Sequence, residues 1–182
     1  MKLVCDGGAN SQETKKGTMA IVLMGVGGAG KTTLGQQLSA ALGTGFIDAD
    51  IFHSPRSVEK MSRGIPLDDS DRAPWLRRVN TEILRSPART VLACSALKRA
   101  YRDILRTGTG TGVWFVHLDV DEAEVRRRLD ARKGHYFPEA LAGSQFAALE
   151  PLQPDERGVT LDASRPLDEL LADTLAAAPS AC

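Results

Sequence analysis

A charge imbalance is the first thing missing from this sequence: 23 Lys and Arg are matched by 23 Asp and Glu among 182 residues, for a formal net charge of +0. With no global field, nothing draws the whole chain to nucleic acid or to an anionic membrane, although a local basic cluster can still hold a phosphate. The expected partner is a small anion. Cysteine is equally scarce: Cys5, Cys94 and Cys182 are far apart and odd in number. That fits neither a disulfide framework nor a Cys/His metal site, and it points to a reducing, cytoplasmic compartment. No run of about eighteen apolar residues occurs, which speaks against a membrane-spanning helix, and Leu3-Val4-Cys5 is too short for the apolar stretch of a secretion signal. No internal repeat is visible, and the length leaves too little for a second core, so one domain over residues 19–182 is expected. Residues 1–18, polar and without periodicity, read as a flexible leader outside it.

What is present is glycine, concentrated in one place. Gly25 to Thr33 reads G-V-G-G-A-G-K-T-T and directly follows the apolar run Met19 to Met24. The spacing satisfies G-x-x-x-x-G-K-[ST], with Gly25, Gly30, Lys31 and Thr32 at the required places. Wrapping a polyphosphate with consecutive backbone N–H groups demands unusual dihedrals and close backbone approach, which glycine allows. Gly25, Gly27, Gly28 and Gly30 provide that freedom, and Ala29 and Thr33 complete the cradle. Lys31 can reach the β- and γ-phosphates, Thr32 can ligate Mg²⁺, and the following helix turns its positive end toward the anion.

Along the chain, periodicity predicts strands at Ala20–Met24, Phe46–Ile47, Thr90–Cys94, Val113–Leu118 and Gly158–Leu161, alternating with helices. The alternation implies an α/β fold with a five-stranded parallel sheet covered on both faces. Residues 51–71 form a polar insertion with a short helix near Val58–Arg63, and a helix resumes at Trp75 with Pro74 in its first turn. An insertion of this size usually carries function, and this one holds His53, Arg56, Lys60 and Arg63, with Arg72 directly after it.

A phosphate loop alone says only that a nucleotide binds; the acidic and basic residues around it must say more. Asp48 and Asp50 lie two apart on an extended segment, so both side chains are expected to face the loop, where the second strand adjoins the first. One carboxylate can organise Mg²⁺ while the other accepts a hydroxyl proton; a solvated acidic turn is the alternative. Arg128 and Arg132 share a helix face from which two guanidiniums can close over a transferring phosphoryl group. A solvated helix with Glu122 and Glu124 as ion-pair partners competes with that reading. His53 and His135 sit beside Pro or Gly in polar segments, as ligand contacts or as plain surface histidines. Cys94, at the end of a buried strand, reads as core.

Taken together, these residues resemble the gluconokinase family, small P-loop kinases akin to shikimate and nucleoside monophosphate kinases. The resemblance runs from Ala20 to Ala177. It is carried by G-V-G-G-A-G-K-T at Gly25, D-A-D-I-F-H at Asp48, E-K-M-S-R-G-I-P-L-D-D-S-D-R-A-P-W-L at Glu59, A-C-S-A-L-K-R-A-Y-R-D-I-L-R at Ala93, R-L-D-A-R-K-G-H-Y-F at Arg128 and S-Q-F-A-A-L-E-P at Ser144. It departs from the family pattern at Gly28 or Ala29, Ala49, Ser54 and Ser57.

The resemblance implies a three-layer P-loop kinase fold, phosphorylation of D-gluconate by ATP to 6-phosphogluconate, Mg²⁺ dependence, and commonly a homodimer. It also implies a substrate-binding insertion over residues 51–72 and a lid over 126–138. Lys31, Arg128 and Arg132 would neutralise the phosphoryl group, Thr32 and Asp48 would organise Mg²⁺, and Asp50 would take the proton. His53, Lys60, Arg72, Lys98, Arg102 and His135 are candidates for binding gluconate. The rivals are a kinase for another small hydroxy acid or polyol, such as shikimate, and a non-catalytic nucleotide-binding switch.

Overall fold

The fold was obtained as a computed structural model, which describes residues 20–86, 89–130 and 139–179. The leader, Arg132, His135 and most of the expected lid lie outside the described residues. At the centre is β1 (Ala20–Met24), an unbroken apolar strand with every residue fully buried. Such a strand needs cover on both faces, the mark of a parallel sheet. The others are β2 (Gly45–Asp48), β3 (Thr90–Ala93), β4 (Val113–Asp119) and β5 (Gly158–Asp162), all parallel, in the order β2-β3-β1-β4-β5. The five-stranded parallel sheet is therefore as expected, but β3 lies between β1 and β2, so the second strand does not adjoin the first. Strand neighbours are chosen by long-range packing, and nothing local in the sequence signals them.

The helices are α1 (Lys31–Leu42), α2 (Pro55–Ser62), α3 (Asp69–Arg85), α4 (Arg99–Arg106), α5 (Glu122–Asp130), α6 (Glu139–Ala148) and α7 (Leu167–Ala177). They flank the sheet, α1 packing on α7 and α3 on α4. Inside α1, Gly35 admits the Phe46 ring so closely that an added Cβ would lie 2.5 Å from it. No helix among the described residues is long and apolar enough to cross a membrane.

The start of α3 corrects the sequence reading. The helix begins at Asp69, six residues before Trp75, and Pro74 lies inside it. A capping box sets the start: the Asp68 carboxylate accepts the Asp71 N–H at 2.9 Å and the Asp71 carboxylate accepts the Asp68 N–H at 3.2 Å. Pro74 then forgoes one bond in the second turn, a loss the cap offsets.

β1 has β3 on one side and β4 on the other, so the chain reverses its direction of winding across it. Open parallel sheets keep their ligands at the carboxyl edge of such a point. The glycine loop begins there, directly after Met24.

Candidate active site

The loop is held open by backbone shape. Gly25, Gly28 and Gly30 all have positive φ (130°, 83° and 101°). At Gly25 the demand is twofold, because a Cβ there would also lie 2.8 Å from the Leu118 carbonyl oxygen of β4. The Lys31 ammonium folds back over the loop and donates to the carbonyls of Gly25 (3.0 Å) and Val26 (2.7 Å). The Gly27 N–H points into the cleft and donates to Gln145 Oε1 at 2.6 Å.

Asp48 ends β2, one strand further away than expected, yet its Oδ2 still accepts the Thr32 hydroxyl at 3.3 Å. Asp48 and Asp50 are not on one extended segment. Asp48 caps a 3₁₀ turn, Ala49–Phe52, by accepting the Asp50 N–H at 3.0 Å. The turn brings both carboxylates to the same cleft by a different route from strand alternation. Ala49 is buried beneath it and its carbonyl accepts the Trp75 indole N–H at 2.7 Å.

Asp50 projects into the cleft with a side chain 77% exposed, and His53 Nε2 lies 3.7 Å from its Oδ1. The imidazole does most to hold the Asp50 carboxyl below the usual carboxylate range, Lys31 and Arg72 add to it, and the protein packed around the cleft, which keeps some water from the exposed carboxylate, works the other way. Asp50 is therefore an anion at neutral pH. The His53 side chain is only 4% exposed and stacks on Trp75, with centroids 4.2 Å apart and planes 16° off parallel. Its Nδ1 is buried and has no hydrogen-bond partner among the described residues.

These groups line one cleft of about 360 Å³ between the loop and the insertion. Arg72 reaches it from α3, its Nε donating to the Leu67 carbonyl at 3.2 Å. Arg72 also borders another cavity, lined by Asp69, Lys98, Tyr101 and Ser144. Lys98 pairs with Asp69 at 2.7 Å, and the Tyr101 hydroxyl donates to the same carboxylate. Cys94 also borders the cleft, but burial pushes its thiol up to about 12, so it packs and does not attack.

Three expected site residues are placed elsewhere. Arg102 is fully buried, forks onto Glu156 with both contacts at 2.7 Å, and donates to the carbonyls of Ala96, Leu97, Glu150 and Pro151. It cannot touch a substrate. Lys60 does not line the cleft; it is drawn 2.6 Å from Asp71 in the α3 cap. Arg128 does not border the cleft of Asp50; it is paired with Glu124 at 2.7 Å and donates to the carbonyls of Ala29 and Ala163. The ion-paired helix that competed with the phosphoryl clamp is what α5 shows, down to a Glu124 carboxyl held at about 2 by Arg127 and Arg128. Arg128 there borders a second pocket of about 380 Å³, with Gly30, Thr33, Leu34, Leu167 and Leu170.

Sequence reasoning passed over Gln145, Tyr101, Asp69 and Glu156. Gln145 and Tyr101 lie inside stretches that carried the resemblance, yet nothing in their spacing announced a contact 118 residues away such as that from Gln145 to Gly27.

A glycine loop with an inward lysine, at the carboxyl edge of a five-stranded parallel sheet and facing a carboxylate across a polar cleft, defines a P-loop kinase. The family model described as an AAA domain matches residues 21–152. The chain is 42% identical over 173 residues to a probable gluconokinase of Xenopus tropicalis, covering 85% of this chain and 90% of that one. It is 44% identical over 143 residues to the thermosensitive gluconokinase of Escherichia coli K12, covering 77% and 76%. The crystal structure of a gluconokinase from Sinorhizobium meliloti superposes with a TM-score of 0.82 at 40% identity, covering 89% and 92%. The chain belongs to the gluconokinase family.

Proposed function

We propose that the chain transfers the γ-phosphoryl group of ATP to the terminal hydroxyl of D-gluconate, forming 6-phosphogluconate. The observation that carries this reading is the ionised Asp50 carboxylate facing Lys31 across one cleft, with Arg72 between it and the cavity of Lys98 and Tyr101. Phosphoryl transfer asks the protein for positioning and charge stabilisation more than for covalent chemistry. Asp50 orients the acceptor hydroxyl and takes its proton as the new P–O bond forms and the bond to the β-phosphate oxygen breaks. Lys31, released from the loop carbonyls, follows the charge on the phosphoryl oxygens. Arg72 and Lys98 offer cations to the gluconate carboxylate, and His53 fixes the direction of Asp50. The less polar pocket beside Arg128 suits the base of the nucleotide, so Arg128 belongs to nucleotide holding and Arg132 keeps the role of phosphoryl clamp.

The donor set fits a divalent ion. Thr32 and Asp48 present hard oxygens 3.3 Å apart, while no cluster of three or more His, Cys, Asp or Glu among the described residues could hold a metal by itself. Two protein oxygens with phosphates and water completing the shell is how Mg²⁺ is usually held. When bound, Mg²⁺ neutralises phosphate charge.

The single domain over residues 19–182, the acceptor platform at 51–72, the lid at 126–138, His135 as a substrate contact and a cytoplasmic location belong to the same proposal. So does a homodimer, supported by the exposed apolar residues Ile51, Val58 and Ile65 in and beside α2. The test is ADP release with Mg·ATP across gluconate, shikimate, glucose, glycerate and a nucleoside monophosphate. Gluconate should exceed the others by orders of magnitude, because buried polar groups left unpaired reject a poor acceptor by roughly 10⁴-fold. Turnover of shikimate but not gluconate would overturn the substrate, and ATP binding with no acceptor at all would favour the switch.

A further inference from the structure

Gln145 faces the phosphate loop but has no part in the roles assigned above. It comes from α6, and its Oε1 takes up the Gly27 N–H at 2.6 Å. That N–H belongs to the row of backbone donors with which such a loop meets phosphoryl oxygens. Gln145 also borders the cleft of Lys31, Thr32 and Asp50, so its amide lies inside the volume a polyphosphate must enter. Lys31 behaves in parallel, with its ammonium on the loop's own carbonyls. Both contacts satisfy cationic or donor groups with neutral oxygens. An amide oxygen offers a lone pair in the same position as a phosphoryl oxygen, but without the net charge that makes a buried carboxylate costly.

We infer that Gln145 is an internal ligand of the phosphate loop, holding the Gly27 N–H until a phosphoryl oxygen replaces its amide oxygen. The inference rests on the proposed function only in taking the loop's guest to be a polyphosphate. α6 is anchored just beyond its end, where the Glu150 N–H donates to the Leu97 carbonyl at 2.8 Å and the Glu150 carboxylate accepts the Arg99 N–H at 2.6 Å. Release of Gln145 therefore turns the side chain, or the first turns of α6, about a fixed end. Gln145 is thus a positioning residue, in competition with substrate.

Two substitutions separate this from general loosening, because they predict opposite signs. Q145A removes the competitor, and inorganic tripolyphosphate and Mg·ATP should each bind about 2- to 10-fold tighter, the factor that one ordinary net hydrogen bond supplies. Q145E installs a carboxylate that grips the Gly27 N–H and repels phosphate, so both ligands should bind about 10-fold weaker or worse. Titration calorimetry on the full chain reads both, with thermal melts confirming that each variant is folded. Equal or weaker binding by Q145A, or shifts of the same sign in the two variants, would overturn the inference. The tripolyphosphate arm needs no acceptor. If the opposite signs appear while gluconate yields no ADP, the inference stands and the substrate assignment falls; gluconate turnover with unchanged affinities gives the reverse.

Discussion

Arg102→Met tests the reassignment of a residue that the sequence had offered to the substrate. Arg102 is among the largest fully buried side chains described, and neither it nor Glu156 has exposed side-chain surface. Its guanidinium makes two charge-assisted bonds to Glu156 and four to backbone carbonyls, joining the loop after β3 to the segment before β5. Methionine keeps most of the volume and removes every donor. Glu156 then stays buried with the Gln153 N–H and with Arg99, whose Nε is 4.0 Å from its Oε1, and breaking one partner of a buried pair costs about 3–5 kcal/mol. That is a large share of a stability of roughly 5–15 kcal/mol, and at this size it lowers Tm by about 10 °C.

The pH dependence adds a sign. In the wild type, burial raises the Glu156 carboxyl, but the Arg102 hydrogen bonds and the Gln153 N–H outweigh it and hold it below its ordinary value. A depressed carboxyl contributes stability that is present above its unfolded pKa, about 4.3, and is lost as pH falls through the folded value. In R102M the Glu156 carboxylate, held by Arg99 and the Gln153 N–H alone, protonates more easily, so the deficit against wild type should shrink as pH drops from 7 to 5. Urea unfolding followed by circular dichroism at both pH values measures this. The folded variant should keep its KM for gluconate, since Arg102 touches no cleft. A deficit under 1 kcal/mol, or a KM raised many-fold in a stable variant, would refute the reasoning and return Arg102 to the substrate.

Lys31→Ala should leave the melt unchanged and lower kcat at least 10²–10³-fold, the scale for losing one preorganised donor to developing charge; ADP release measures it. Asp50→Asn should cost about 10²–10⁴ in kcat as the general base is lost. Because the Asp50 carboxyl is held low, the acid limb of kcat/KM should fall below about 3.9. His53→Gln should move that limb to higher pH, and an unmoved profile would separate His53 from Asp50. Gly35→Ala should lower Tm despite alanine's better helix propensity, because its Cβ would meet Phe46 at 2.5 Å and Leu23 at 2.9 Å. Overpacking of that kind costs about 1–3 kcal/mol, against the ~1 kcal/mol propensity gain.

The phosphate loop and β1 were legible from the sequence to the residue, because each is written in local terms: a glycine spacing and an unbroken apolar run. The pairing of Asp48 and Asp50 in one cleft was legible too, though strand alternation was the wrong mechanism; a carboxylate-capped turn does the work. Arginine was where local reading failed. Arg72, Arg102 and Arg128 all stand in polar helical stretches, and nothing within a few residues of each distinguishes a cleft cation from a core staple or a surface ion pair. The partners decide: Leu67 and the cleft for Arg72, Glu156 at a separation of 54 residues for Arg102, and Ala163 at 35 for Arg128. The same holds for Gln145, whose helix meets the loop only because β3 and β4 both flank β1 and leave the crevice open at its end. Local sequence sets which dihedrals and periods a segment prefers. Which distant donor meets which acceptor is chosen by burial of the whole sheet, and that choice exists only in the folded chain.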